Sequence, residues 1–131
     1  MLIEGKGGVL RHLRTLNIEY QKAKSSFIKA SEFKGIKSEK KKKWKDAQDK
    51  YEFYLDEIYA DDIDALAELG EIYSHLGQLA DTEKEEFEYY KQAIDEFELA
   101  DGKGQNNPFH KIRIAENWIK GKKLNKALRL Y

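Results

Sequence analysis

The stretch "LGEIYSHLG", Leu69–Gly77, decides how the chain is read. It sets a large apolar residue beside a small one, an aromatic three positions later and a second glycine four further on. On a helix of 3.6 residues per turn, Leu69, Gly70, Ile72, Tyr73 and Leu76 gather on one side. Glu71 and His75 fall on the other. The question is whether this is one amphipathic turn among many or one half of a recurring unit.

Working outward, the same periodicity fills most of the chain. Upstream, Val9, Leu13, Leu16, Tyr20, Ala23, Phe27 and Ala30 alternate steps of four and three, which predicts a first helix over 9–33. Gly35 ends it, and Ser38 is the expected cap of a second helix over 39–59, seamed by Trp44, Ala47, Tyr51, Tyr54 and Ile58. The acidic "ADD" at 60–62 offers a cap for the third helix, 62–76, which Gly77 is expected to end. Asp81, with Thr82 close by, opens a fourth helix over 82–100 that buries Phe87, Tyr90, Ala93, Ile94 and Phe97. After the loop "DGKGQNNP", a fifth helix begins with Pro108 in its first turn and carries Ile112, Ile114, Ala115, Trp118 and Ile119 to about Lys120. Gly121 is expected to separate it from a sixth bearing Leu124, Ala127, Leu128 and Tyr131. No segment alternates as a strand does. The expectation is an all-α single domain of six helices in three antiparallel hairpins, with residues 1–8 flexible and 9–59 forming the long hairpin.

Composition narrows the class. Charged residues make up 37% of the 131 residues, yet 40% are hydrophobic and 12% aromatic, enough apolar matter to order a chain when it is periodic. Absence of cysteine excludes disulfides, thiolate metal sites and a cysteine nucleophile. No apolar run nears the roughly 18 residues of a membrane span, and "MLIEGKGGVL" lacks the order of a secretory leader. A soluble cytoplasmic protein is expected. The net charge is zero but unmixed. Residues 1–50 carry 14 Lys/Arg against 6 Asp/Glu, residues 51–107 carry 3 against 17, and residues 108–131 carry 7 against 1. Such a plus–minus–plus order favours attraction between the ends and the middle, within one chain or between copies.

The opening order returns in the fifth helix as "IAENWIKG", with Ile114, Ala115, Trp118 and Gly121, followed by Ala127 and Tyr131 four apart. These residues resemble the tetratricopeptide repeat, a helix–turn–helix unit of 34 residues. The resemblance covers 62–131, and over 39–59 it extends to Trp44, Ala47 and Tyr51. Gly121 stands one residue early, and the late pair Tyr90 and Ala93 stands four residues too far along. The resemblance implies a TPR-like right-handed stack, with a short helical bundle as the other arrangement, and a concave groove lined by the first helix of each hairpin. Carried over by position, the groove would hold Asp64, Ala67, Glu71, Ser74 and His75, then Phe109, Ile112, Glu116, Ile119 and Lys120. It implies a non-enzymatic protein–protein interaction module or scaffold, binding a peptide segment of a partner or forming a homo-oligomer.

Other chemistries find less support. His12, His75 and His110 form no HxxxH or HExxH pair, so no metal is expected, nor any cofactor. "GKGG" (Gly5–Gly8) and "GKG" (Gly102–Gly104) complete no phosphate-binding pattern. The acids between Asp56 and Asp101 read as a solvated face rather than paired catalysts. The basic run Lys40–Lys43, with Arg11 and Arg14, leaves two readings open. It is either a nucleic-acid-binding surface of a ribonucleoprotein subunit or a set of partners for the acidic middle. Four consecutive lysines spread around a helix rather than lining one face.

Overall fold

The computed structural model describes the backbone of residues 5–103 and 108–129 and the side chains of 18–103 and 108–121. All regular structure among these residues is helical: α1 (Gly5–Glu32), α2 (Lys37–Phe53), α3 (Ile63–Gln78), α4 (Glu83–Lys103) and α5 (Pro108–Arg129). Among the described residues, no helix is long and apolar enough to cross a membrane. Each helix packs on the next along the chain, and α1 and α2, like α3 and α4, form antiparallel hairpins.

Five helices stand where six were expected. Gly121 does not break the last one: α5 runs on to Arg129, with Gly121 buried inside it, so the third hairpin is a single helix lying on α4. The expected packing roles of Val9, Leu13, Leu16, Leu124, Ala127, Leu128 and Tyr131 lie outside the described side chains.

The seams of the first four helices are the core. Ala23, Ala30, Trp44, Ala47, Tyr51, Tyr54, Leu66, Leu69, Ile72, Tyr73 and Leu76 are buried, joined by Ala93 and Phe97 from α4. Aromatic rings lock α1 to α2: Phe27 stands edge-on to Trp44 at 5.3 Å, and Tyr20 lies 5.6 Å from Tyr54. The two glycines of the opening stretch fix α3 on α4. A β-carbon at Gly70 would lie 2.9 Å from a Phe97 ring atom, and one at Gly77 would lie 2.6 Å from Tyr90. Gly77 was expected to end α3. It is instead an interior glycine whose missing side chain admits Tyr90, and α3 ends one residue later at Gln78.

Helix starts follow hydrogen bonding more than residue type alone. Asp62 caps α3, accepting from the Ala65 N–H at 3.1 Å. Its other carboxylate oxygen accepts from the Tyr54 hydroxyl at 2.7 Å, tying the end of α2 to the start of α3. At α4 the cap is Thr82 rather than Asp81, with the Glu85 N–H donating to Thr82 Oγ1 at 3.1 Å. Ser38 caps nothing: α2 begins at Lys37 after Ile36, without a side-chain cap. Beyond Phe53 the helix widens into a π-turn over Tyr54–Ile58, closed by the Tyr59 N–H on the Tyr54 carbonyl at 2.9 Å. That wider turn lets the adjacent residues Tyr54 and Leu55 both point inward.

Helix α5 departs furthest from expectation. The repeat-like spacing puts Ile114, Ala115 and Trp118 on the packed side; Ile114 is half-buried against the core, whereas Ala115 and Trp118 are exposed, as are Ile112 and Ile119. The inward line is His110, Ile114, Asn117 and Gly121, one residue out of step with the repeat-like signature. Gly121 lies beside the Phe87 ring, where a β-carbon would make only ordinary van der Waals contact at 3.8 Å.

Candidate functional site

The side of α3 that does not face α4 is where charge and hydrogen-bonding groups collect. Helix periodicity sends Glu68, Glu71, Ser74 and His75 out of the α3 core seam toward α1, α2 and α5. Glu68 accepts from the hydroxyls of Tyr20 at 2.6 Å and Tyr51 at 3.0 Å, and pairs with Lys24, so one carboxylate joins three helices. Burial, and then Glu68 itself, holds both phenols well above their ordinary pKa. Glu68 was not singled out from sequence. Its signal was faint, a glutamate facing two tyrosines that lie 48 and 17 residues upstream.

Between α3 and α5 lies a small polar cavity of about 90 Å³, lined by Glu71, Ser74, His75, Gln78, Phe97, Arg113, Asn117 and Lys120. Glu71 approaches the Arg113 guanidinium at 3.8 Å. Burial raises the Glu71 pKa, with Arg113 pulling it the other way. Arg113 also pairs with Glu116 at 3.3 Å and lies over the Phe109 ring at 4.6 Å. Asn117 is almost wholly buried and donates through Nδ2 to the Arg113 carbonyl at 2.8 Å. Its Oδ1 and the Arg113 Nε are buried without a hydrogen-bond partner among the described residues. A buried acceptor and a buried donor on one wall suit a ligand group carrying both, as an amide does.

His75 is held by stacking. Its ring lies parallel to Trp44 of α2, with centroids 4.2 Å apart and 9° between the planes. Burial lowers its pKa, and Lys40, Lys120 and Arg113 add to that by repulsion, so the imidazole stays neutral at physiological pH. One face of the ring is covered by Trp44.

Of the ten groove positions named from sequence, Glu71, Ser74, His75 and Lys120 therefore meet at one cavity. Asp64 is exposed near the start of α3, and Ala67 packs partly against the core. Ile112, Glu116 and Ile119 lie on the outer side of α5, where Phe109 is also partly exposed. Arg113, Asn117 and Gln78 were not anticipated. Polar residues in an apolar-looking register carry no signal of burial until the neighbouring helix is in place.

The basic run is partly committed within the chain. Lys41 bridges α2 to the start of α4, reaching Glu85 at 2.9 Å and Asp81 at 3.2 Å, and Lys37 lies 3.6 Å from Asp81. Lys42 pairs with Glu39 at 3.6 Å, while Lys43 lies over the Phe33 ring at 5.1 Å. Lys40 is half-buried. The side chains of Arg11 and Arg14 lie outside the described residues. Among the described residues, no cluster of His, Asp or Glu is arranged to hold a metal ion. Comparison of the chain with protein-family models, with curated proteins and with solved structures found no match.

Proposed function

We propose that this chain is a non-enzymatic, cytoplasmic protein–protein interaction module that holds a segment of a partner protein against the face shared by α3 and α5. The single observation that carries the reading is the convergence of Glu71, Ser74, His75 and Lys120, from two helices, on one polar cavity. The tetratricopeptide-like spacing of Leu69, Gly70 and Tyr73 supports it, since in such a repeat the residues on the opposite face of that helix, here Glu71, Ser74 and His75, line the groove. The cavity is too small for a folded surface but suits one side chain or one peptide group of an extended segment. Glu71, Arg113 and Lys120 at its edge select polar or charged neighbours. No cofactor enters this reading, and the chemistry is recognition alone.

The test is affinity capture from the native cell with mass spectrometry, comparing the wild-type chain with Glu71→Lys and Lys120→Glu. Each substitution reverses a charge at the cavity and is expected to lower recovery of the bound partner by about tenfold or more. Lys84→Glu, on the exposed start of α4, is expected to leave recovery unchanged. Retention of every partner by both cavity variants would overturn the proposal.

A further inference from the structure

Two of the residues that line the α3–α5 cavity carry polar atoms left unpaired among the described residues. Asn117 is 1% exposed, and its Nδ2 donates to the Arg113 carbonyl at 2.8 Å. Exchanging its oxygen and nitrogen would set two acceptors against each other, so that bond identifies Oδ1 as the unpaired atom. Oδ1 can only accept. One helical turn earlier on α5, the Arg113 Nε is a buried donor that likewise lacks a partner. The terminal nitrogens of that guanidinium are engaged, by Glu116 at 3.3 Å and more loosely by Glu71 at 3.8 Å. Burying such groups unpaired is costly, and a ligand that pairs them recovers the cost.

Two further lining groups repeat the pattern, since the Glu71 carboxylate accepts and the Lys120 ammonium donates. Lys120 is half-buried, with its ammonium 5.5 Å from the centre of the Tyr90 ring. Among the lining residues and Glu116, two positive charges meet two negative ones, and His75 between them stays neutral. That balance favours a neutral polar group over an ion.

We infer that the residue of the partner segment that enters this cavity is an asparagine or glutamine held by its side-chain carboxamide, which rests on the docking of a segment between α3 and α5. A primary amide carries two N–H donors and two lone pairs on one planar group. The site offers the inverse set, with Asn117 Oδ1 and Glu71 to accept and Arg113 Nε and Lys120 to donate. A carboxylate would satisfy the two donors but oppose the two acceptors, and an ammonium would do the reverse. An aliphatic side chain would leave all four bare. A trans peptide group aims its N–H and C=O in opposite directions, whereas a carboxamide presents both along one edge. Both α5 atoms are covered as the side chains stand. The Arg113 side chain, 38% exposed and held by contacts of 3.3 and 3.8 Å, is the part that turns to admit the group.

Nuclear magnetic resonance on the isotope-labelled full chain tests it. The probes are pentapeptides, acetyl-Ala-Ala-X-Ala-Ala-N-methylamide, with X glutamine, glutamate, lysine or leucine. They are titrated to about 10 mM, because short ligands bind weakly. The N-methyl end leaves the glutamine side chain as the only primary amide. The glutamine peptide is expected to shift the Asn117 Nδ2–H and Arg113 Nε–H signals and to bind about tenfold or more tighter than the other three. Asn117→Leu, of similar volume, and Arg113→Lys, which keeps the charge without the Nε donor, are each expected to erase that preference. Arg113 is partly exposed, so its variant keeps the test decisive if Asn117→Leu fails to fold. Binding of the glutamate, lysine or leucine peptide at this cavity as tightly as glutamine overturns the inference and leaves segment docking intact. A glutamine preference that survives both substitutions, shifts confined to other residues, or silence from all four peptides overturns it equally. Segment docking itself falls only if Glu71→Lys and Lys120→Glu retain every captured partner.

Discussion

At the scale of single residues, Gly70 and Gly77 carry more of the fold than any apolar side chain in their stretch. They lie seven apart on α3 and face Phe97 and Tyr90, seven apart on the antiparallel α4, so the two helices interlock in a single register. Both aromatic rings are buried. Gly77→Ala gains about 1 kcal/mol of helix propensity but forces a methyl to within 2.6 Å of the Tyr90 ring. Overpacking of that kind costs about 1–3 kcal/mol. The expected outcome is a net loss of stability in urea unfolding. Gly102→Ala is expected to do the reverse, a gain of about 0.5 kcal/mol or more, because a β-carbon there meets nothing within 4 Å. Equal effects at the two sites would contradict the interlock.

At the scale of elements, the first four helices were legible because their seams repeat every three and four residues with few interruptions. Trp44, Ala47, Tyr51, Leu69, Ile72 and Phe97 are all buried where that period puts them. Helix α5 was misread in both its end and its inward face. Its apolar period is sound, but a period alone does not fix which side of a helix meets its neighbour, and here the line of His110, Ile114, Asn117 and Gly121 turns inward. A glycine after a helical run reads as a stop, whereas Gly77 is a place where Tyr90 of α4 packs close and Gly121 is buried within α5. The contact of α4 with α2 hides a further feature, a half-buried Glu96 that sequence reading placed among solvated acids. Burial first, then the charges of Asp95, Glu52 and Asp56, pushes its pKa up to about 7 from the ordinary 4.5. A carboxyl whose pKa is raised by folding destabilises the fold as pH rises from about 4.5 through 7. Glu96→Gln is therefore expected to raise the melting temperature at pH 8, by the equivalent of about 1 kcal/mol after allowance for solvent screening. The gain is expected to vanish toward pH 4.5. A gain independent of pH would show that the strain is not electrostatic.

At the scale of the whole molecule, the plus–minus–plus order of charge resolves into specific contacts. Lys24 on Glu68, Lys37 and Lys41 on Asp81, Lys41 on Glu85, and Arg113 on Glu71 all join a basic end to the acidic middle. What the order could not reveal is which acids turn inward, because Glu68 and Glu71 acquire their roles only when α1 and α5 arrive beside α3. The same holds for the candidate site. Glu71, Ser74, His75 and Lys120 were named from the family resemblance and line the cavity together with Arg113 and Asn117, which sequence reading did not name. The central claim is that this cavity receives a partner segment. The most direct measurement is amide chemical-shift mapping of the isotope-labelled chain, titrated with the segment recovered by capture. Shifts centred on Glu71, Ser74, His75, Gln78 and Asn117 that disappear in Glu71→Lys are expected. Shifts confined to Lys40–Lys43, or a pattern that Glu71→Lys leaves intact, would contradict it.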